Sequence, residues 1–175
     1  GDGLLALDVT GQVVRAPHGA TALVTNTGLI RADGGTIQLT ARAADGVVQN
    51  LVDAGGTVRA DTAGGHTGAI VLSGIGGSIS VTGQLAATGR QPGSTGGTIE
   101  VNAGGTVTVA GTARLDASGR AGGGVIALGT TRTRAAGGPS VTAQGTATNV
   151  VVQKGATTTA NATDSTAIGY NSLAN

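Results

Sequence analysis

Residues 76–129, GGSISVTGQLAATGRQPGSTGGTIEVNAGGTVTVAGTARLDASGRAGGGVIALG, decide how the rest of the chain is read. One unit recurs within them: a Gly-Gly pair, a short alternating strand such as Thr98-Ile99-Glu100-Val101, a second alternating strand and a glycine-rich turn. Apolar residues alternating with polar ones mark a strand with one buried face. Such strands, repeated between glycine turns, mark a solenoid whose coils bury their apolar faces against one another.

Outward from that stretch the pairs begin at Gly34, Gly55, Gly76 and Gly96, an almost constant interval. Ile37, Val58, Ile79 and Ile99 hold the same place after each pair and are expected to form one internal ladder, with Gln38, Arg59, Ser80 and Glu100 facing solvent. The turn glycines are Gly34, Gly35, Gly55, Gly56, Gly76, Gly77, Gly96, Gly97, Gly123 and Gly124, placed where the chain must bend sharply. The expectation is an all-β, right-handed parallel β-helix with about 20–21 residues per coil. Roughly eight coils stacked about 4.8 Å apart make a rod about 40 Å long. Towards the N-terminus, residues 4–9, 12–15, 22–25 and 29–31 read as short strands, with Asn26-Thr27-Gly28 as a turn. Residues 1–148 form the expected β-helix domain, and residues 149–175 are a last coil or a tail.

Composition supports a narrow interior. The 175 residues include 34 Gly, one Tyr and no Phe, Trp, Met or Cys, so no large side chains are available to fill a broad two-layer core. Glycine has no three-residue period and Pro occurs three times, which excludes collagen. A mean hydropathy of +0.19 with a net charge of +1 excludes a chain disordered by composition. The missing cysteines carry little weight, because backbone ladders rather than disulfides hold a solenoid.

The ten basic residues are scattered, with Arg132 and Arg134 as the densest spot, and no aromatic residues interleave with them. A nucleic-acid interface needs a basic stripe or stacking platforms, so no nucleic-acid partner is expected. No apolar run is long enough for a membrane span, and no charged-then-apolar signal segment opens the chain, so it reads as an interior or processed segment.

Chemistry has few candidates. Asp33, Asp45, Asp53, Asp61, Glu100 and Asp116 are the central acids; Asp33 and Asp53 precede successive Gly-Gly pairs and would stack if the coils followed those pairs. As turn residues they satisfy backbone N–H groups, and this reading is preferred to a catalytic one. His18 and His66 lie in different coils without a second ligand at metal spacing and read as exposed loop residues. Ser73, Ser94 and Ser118 lack a nucleophile elbow, and Gly122-Gly123-Gly124 precedes no helix, so neither acyl transfer nor phosphate cradling is supported. No enzyme activity, cofactor or metal is expected. Arg132 and Arg134 are the candidate contacts to an anionic glycan.

The phrases GLIRADGGTIQLTARAADG, AGGTVRADTAGGHTGAIVLSG, GGTIEVNAGGTVTVAGTARLDASG and GGGVIALG, spanning residues 29–129, resemble the repeat region of filamentous haemagglutinin-type exoproteins, large adhesins exported by two-partner secretion. The resemblance implies a right-handed parallel β-helix at the bacterial cell surface or secreted, working in adhesion, cell-cell contact or biofilm formation. Its partners would be a host or neighbouring-cell surface and its glycans. The family's N-terminal secretion domain, with its Asn-Pro-Asn-Leu signature, is not seen in these residues.

Residues 165–174, STAIGYNSLA, are similar to the head repeats of trimeric autotransporter adhesins, which implies a trimer; the other reading makes Asn149-Val150-Val151-Val152 and Gly155-Ala156-Thr157 one more coil. Two alternatives stand beside the adhesive rod. One is a self-assembling extracellular filament subunit, because a solenoid's ends expose unpaired strand edges. The other is a carbohydrate-binding or carbohydrate-active β-helix.

Overall fold

The computed structural model describes residues 3–8, 15, 18–43, 47–134, 141–145, 147–160, 166–168 and 172–174. It is all-β and carries three parallel sheets stacked as a β-solenoid. Sheet I contains β1 (Leu4–Asp8), β4 (Thr36–Arg42), β7 (Ala69–Ile75), β10 (Thr98–Ala103), β13 (Val125–Leu128) and β18 (Thr166–Ile168). Sheet II contains β2 (Ala22–Asn26), β5 (Asn50–Ala54), β8 (Ile79–Val81), β11 (Thr106–Val109), β16 (Asn149–Val152) and β19 (Ser172–Ala174). Sheet III contains β3 (Leu29–Arg31), β6 (Thr57–Arg59), β9 (Gln84–Ala86), β12 (Arg114–Asp116) and β17 (Thr157–Thr159). Each turn visits sheets I, II and III in order, and an antiparallel hairpin, β14 (Thr130–Arg134) with β15 (Val141–Gly145), is inserted between β13 and β16.

The coil is longer than the glycine spacing predicts: about 29 residues per turn instead of 20–21. The pairs do not mark one corner. Gly34-Gly35 leads into sheet I, Gly55-Gly56 joins sheet II to sheet III, Gly76-Gly77 joins sheet I to sheet II, and Gly96-Gly97 leads into sheet I again. These four pairs therefore fall at every second corner of a three-sided coil, two-thirds of a turn apart, while a further pair, Gly64-Gly65, lies between them in the loop 60–68 from sheet III to sheet I. The three intervals from Gly34 to Gly96 together make two turns, from β4 through β7 to β10.

The expected ladder divides in the same way. Ile37 and Ile99 do share a column, Leu5–Ile37–Ile70–Ile99–Ile126 in sheet I. Val58 belongs to Ile30–Val58–Leu85–Leu115 in sheet III, and Ile79 to Val24–Val52–Ile79–Val107–Val150 in sheet II. All four residues are fully buried, and the three columns face one another across the interior. Four complete turns separate Val24 from Val150, a rise of about 19 Å at the usual strand spacing. The rod is accordingly shorter than the eight-coil expectation.

Close stacking explains why glycine recurs at strand entries. The Thr98 amide donates to the Gly68 carbonyl and the Val125 amide to the Gly97 carbonyl, at 3.0 and 2.9 Å, and a Cβ on Gly97 or Gly124 would strike the carbonyl of the glycine one turn below. Gly76 serves a different need, turning with φ at 86°. Gly35, Gly56 and Gly96 are also held by close backbone approach, and Gly34 by a φ of 70°.

The chain after the hairpin keeps to the same ladders: β16 pairs with β11, β17 with β12, β18 with β13 and β19 with β16. Ser165, Gly169, Tyr170 and Asn171 of the autotransporter-like stretch lie outside the described residues, as does Asp45. Among the described residues no helix is long and apolar enough to cross a membrane.

Candidate functional site

The corner from sheet II to sheet III is tight, with two residues in each of the first three turns, 27–28, 55–56 and 82–83. At the corner from sheet III to sheet I the connection lengthens after the first turn. The connections there are 32–35, 60–68, 87–97 and 117–124, and the three longer ones project side chains clear of the coil. Rigid strands on either side hold these loops in place, the usual arrangement for a binding surface.

A polar column runs along this corner. Arg31, Arg59, Ala86 and Asp116 are paired in register in sheet III, so two residues further on Asp33, Asp61, Thr88 and Ser118 occupy equivalent places in successive turns. Asp61 is its centre. Its side chain is 6 % exposed and its Oδ1 accepts hydrogen bonds from the Thr88 hydroxyl at 2.7 Å and the Thr88 amide at 3.0 Å. Its Oδ2 accepts from Arg59 Nε at 2.6 Å and from Arg90 Nε at 3.2 Å. Burial pushes the Asp61 carboxyl up, but the Thr88 and Arg59 hydrogen bonds outweigh it and hold the group below the usual carboxylate range. One turn below, Asp33 is paired with Arg31, whose hydrogen bond holds that carboxyl down too, and Asp33 Oδ1 accepts from the Asp61 amide at 3.3 Å. In the fourth turn Asp116 Oδ1 accepts from the Ser118 amide at 2.9 Å. These acids do what turn acids were expected to do.

The expected neighbour of Asp33 was Asp53; the longer coil brings Asp61 there instead. Asp53 lies in β5, beside Thr25 and Ser80 in sheet II. His18 and His66 are exposed, and among the described residues no three His, Cys, Asp or Glu side chains gather where a metal could sit. Arg132 and Arg134 lie on β14, in the hairpin inserted between sheets I and II, on another corner from the polar column.

Above Asp61 the loops 87–97 and 117–124 are tied together. Gly89 pairs in parallel with Gly119, the Gly89 amide donates to the Ser118 carbonyl at 2.8 Å, the Arg120 amide to Gly89 at 3.1 Å, and the Ala121 amide to Ser94 at 2.9 Å. Between them opens a shallow groove of about 560 Å³ lined by Thr88, Gly89, Arg90, Asp116, Ser118, Gly119 and Arg120. Arg90 and Arg120 were not singled out in the sequence, although both close the phrase Thr/Ser-Gly-Arg, at residues 88–90 and 118–120. The offset between those phrases becomes a signal only once the turn length is known. Along this corner Arg31, Arg59, Arg90 and Arg120 stand with Asp33, Asp61 and Asp116. Compared with protein-family models, characterised proteins and solved structures, the chain has no significant match.

Proposed function

We propose that this chain is a structural and adhesive rod segment of a bacterial secreted or surface-exposed fibre, of the filamentous haemagglutinin type. The observation that carries the reading is the division of labour in the coil. Three parallel ladders with an aliphatic interior make a stiff spacer, and Arg31, Arg59, Arg90 and Arg120 are gathered with Thr88 and Ser118 along the corner from sheet III to sheet I. A spacer that presents a polar ridge to a polymer or cell surface needs that arrangement. The repeated phrases of residues 29–129 support the same family of adhesins.

The test is adhesion of beads coated with the purified chain to cell layers and to extracellular polysaccharide, with soluble sugar ends assayed in parallel. Retention without new reducing ends is expected. Absence of retention, or steady release of new ends, overturns the reading, and release would favour a carbohydrate-active β-helix.

A second reading, end-to-end self-association, has one observation in its favour. Leu5 and Leu7 of β1 are in register with the buried Ile37 and Leu39, yet are 45 % and 51 % exposed, so among the described residues the β1 end of sheet I presents an apolar edge. Sedimentation across a range of concentrations reads this directly. Growth with concentration supports a filament, a fixed threefold mass supports the trimer implied by the tail, and a constant monomer leaves the chain as a rod segment.

A further inference from the structure

The geometry points to the groove between loops 87–97 and 117–124 as a binding site for an acidic polysaccharide, with one sulfate or carboxylate group held between Arg90 and Arg120. The inference builds on the adhesive reading by naming what the ridge holds.

The parallel pairing of Gly89 with Gly119 sets Arg90 and Arg120 one strand spacing apart, about 4.8 Å along the rod. Two like charges in register repel, and nothing in the fold requires them there. Their partners differ. Arg90 is anchored from below, its Nε donating to Asp61 Oδ2 at 3.2 Å and to Thr88 Oγ1 at 3.0 Å. That carboxylate is already shared with Arg59, so the guanidinium of Arg90 is held in place without being fully neutralised, and its side chain stays 62 % exposed. Arg120 is exposed, and no carboxylate forms an ion pair with it among the described residues. An oxyanion placed between the two accepts from both guanidiniums and removes the repulsion.

The remaining lining selects the kind of polymer. Asp116 has Oδ1 engaged by the Ser118 amide, and its carboxylate disfavours a second anion while accepting a hydroxyl, as does the Ser118 side chain. A site with two cations at one end and hydroxyl partners at the other suits a charged sugar better than a bare phosphate chain. No aromatic ring lines it, so nucleobases have no stacking platform. The groove is open on one side, as an extended chain requires.

The experiment measures binding of the full chain to dextran sulfate, polygalacturonate, neutral dextran and single-stranded DNA at low salt by titration calorimetry. Binding to at least one of the two acidic polysaccharides and not to dextran is expected, and whichever binds tighter identifies sulfate or carboxylate as the preferred group. Arg120→Ala and Arg90→Ala should each weaken the tighter polymer at least tenfold. Arg42→Ala, which removes the same charge from the outer face of sheet I, should change it less than twofold. Because Arg90 also touches Asp61, Arg120→Ala and Arg120→Lys are the deciding variants, with circular dichroism confirming an unchanged fold; the lysine variant should lose several-fold for want of the guanidinium fork. Equal losses for Arg42→Ala and Arg120→Ala, no binding by the native chain, or tighter binding of DNA than of either polysaccharide overturns the assignment. Beads that adhere to cells with Arg120→Ala as well as with the native chain would remove the groove and leave the adhesive rod standing.

Discussion

Replacing Asp61 by alanine is expected to destabilise the rod by about 3 kcal/mol. Thr88 is buried, and the substitution leaves its amide, now 3.0 Å from Asp61 Oδ1, without a partner, at a cost of about 1–3 kcal/mol. The ion pair with Arg59 adds only about 1 kcal/mol, because the Arg59 side chain is 29 % exposed and solvent screens it. At about 2–4 °C per kcal/mol for a chain of this length, the melting temperature at neutral pH should fall by about 6–12 °C. Asp61→Asn, which retains an acceptor for the Thr88 amide, should lose about a third as much. The sign of the pH dependence follows from the direction of the shift. A carboxyl held below its ordinary value contributes its stabilisation above the unfolded-state pKa of about 3.9 and loses it as the pH falls through the lower folded-state value. The gap between native and Asp61→Ala proteins should therefore be full at pH 7 and narrow in acid. Thermal melts at the two pH values, with amide exchange at Thr88 as the local probe, read both effects. A variant that melts within about 2 °C of the native chain at pH 7, or a gap that does not narrow in acid, would refute the reasoning.

Gly97→Ala drives a Cβ into the Gly68 carbonyl and should lower stability by more than about 2 kcal/mol in urea titration, whereas Gly28→Ala, with nothing within 4 Å, should stay within about 0.5 kcal/mol. In sheet III, Leu85→Ala empties a fully buried position and should cost about 2–5 kcal/mol, while Leu29→Ala, at a 66 % exposed position on the same sheet, should be nearly silent. Lowering the pH below the ordinary carboxylate range should also weaken the Arg31–Asp33 pair, read as faster exchange of the Asp61 amide that Asp33 accepts.

Strand identity and the solenoid were legible because both are local: alternation around Ile37, Ile79 and Ile99 specifies a buried face, and glycine at the corners specifies tight stacking. Turn length was not, because it depends on which strands meet. The strand that stacks on Thr36–Arg42 is Ala69–Ile75, which follows the single Gly68 in a His-Thr-Gly phrase and breaks the visible rhythm of pairs. Reading the pairs as one corner placed Ile37, Val58 and Ile79 in one column, whereas a three-sided coil distributes them over three sheets. The polar corner depended on the same quantity. Asp33, Asp61, Thr88 and Ser118 are unevenly spaced and change chemical type halfway along, so neither spacing nor identity singles them out until the coils are stacked. Arg132 and Arg134 drew attention through proximity in sequence, while Arg90 and Arg120 meet only across turns.

The two-thirds relation between glycine interval and turn also limits how such a gene can grow or shrink. Excising a single Gly-Gly interval, such as residues 55–75, would leave the glycine rhythm looking intact, yet every downstream strand would arrive one face early, beginning with the sheet II strand β8 where sheet III is needed. Excising one turn of about 29 residues disrupts the visible rhythm but returns each strand to its own column. The smallest segment that preserves both is the double turn from Gly34 to Gly96, which makes it the natural unit of duplication for lengthening the rod and the safest cassette for rebuilding it.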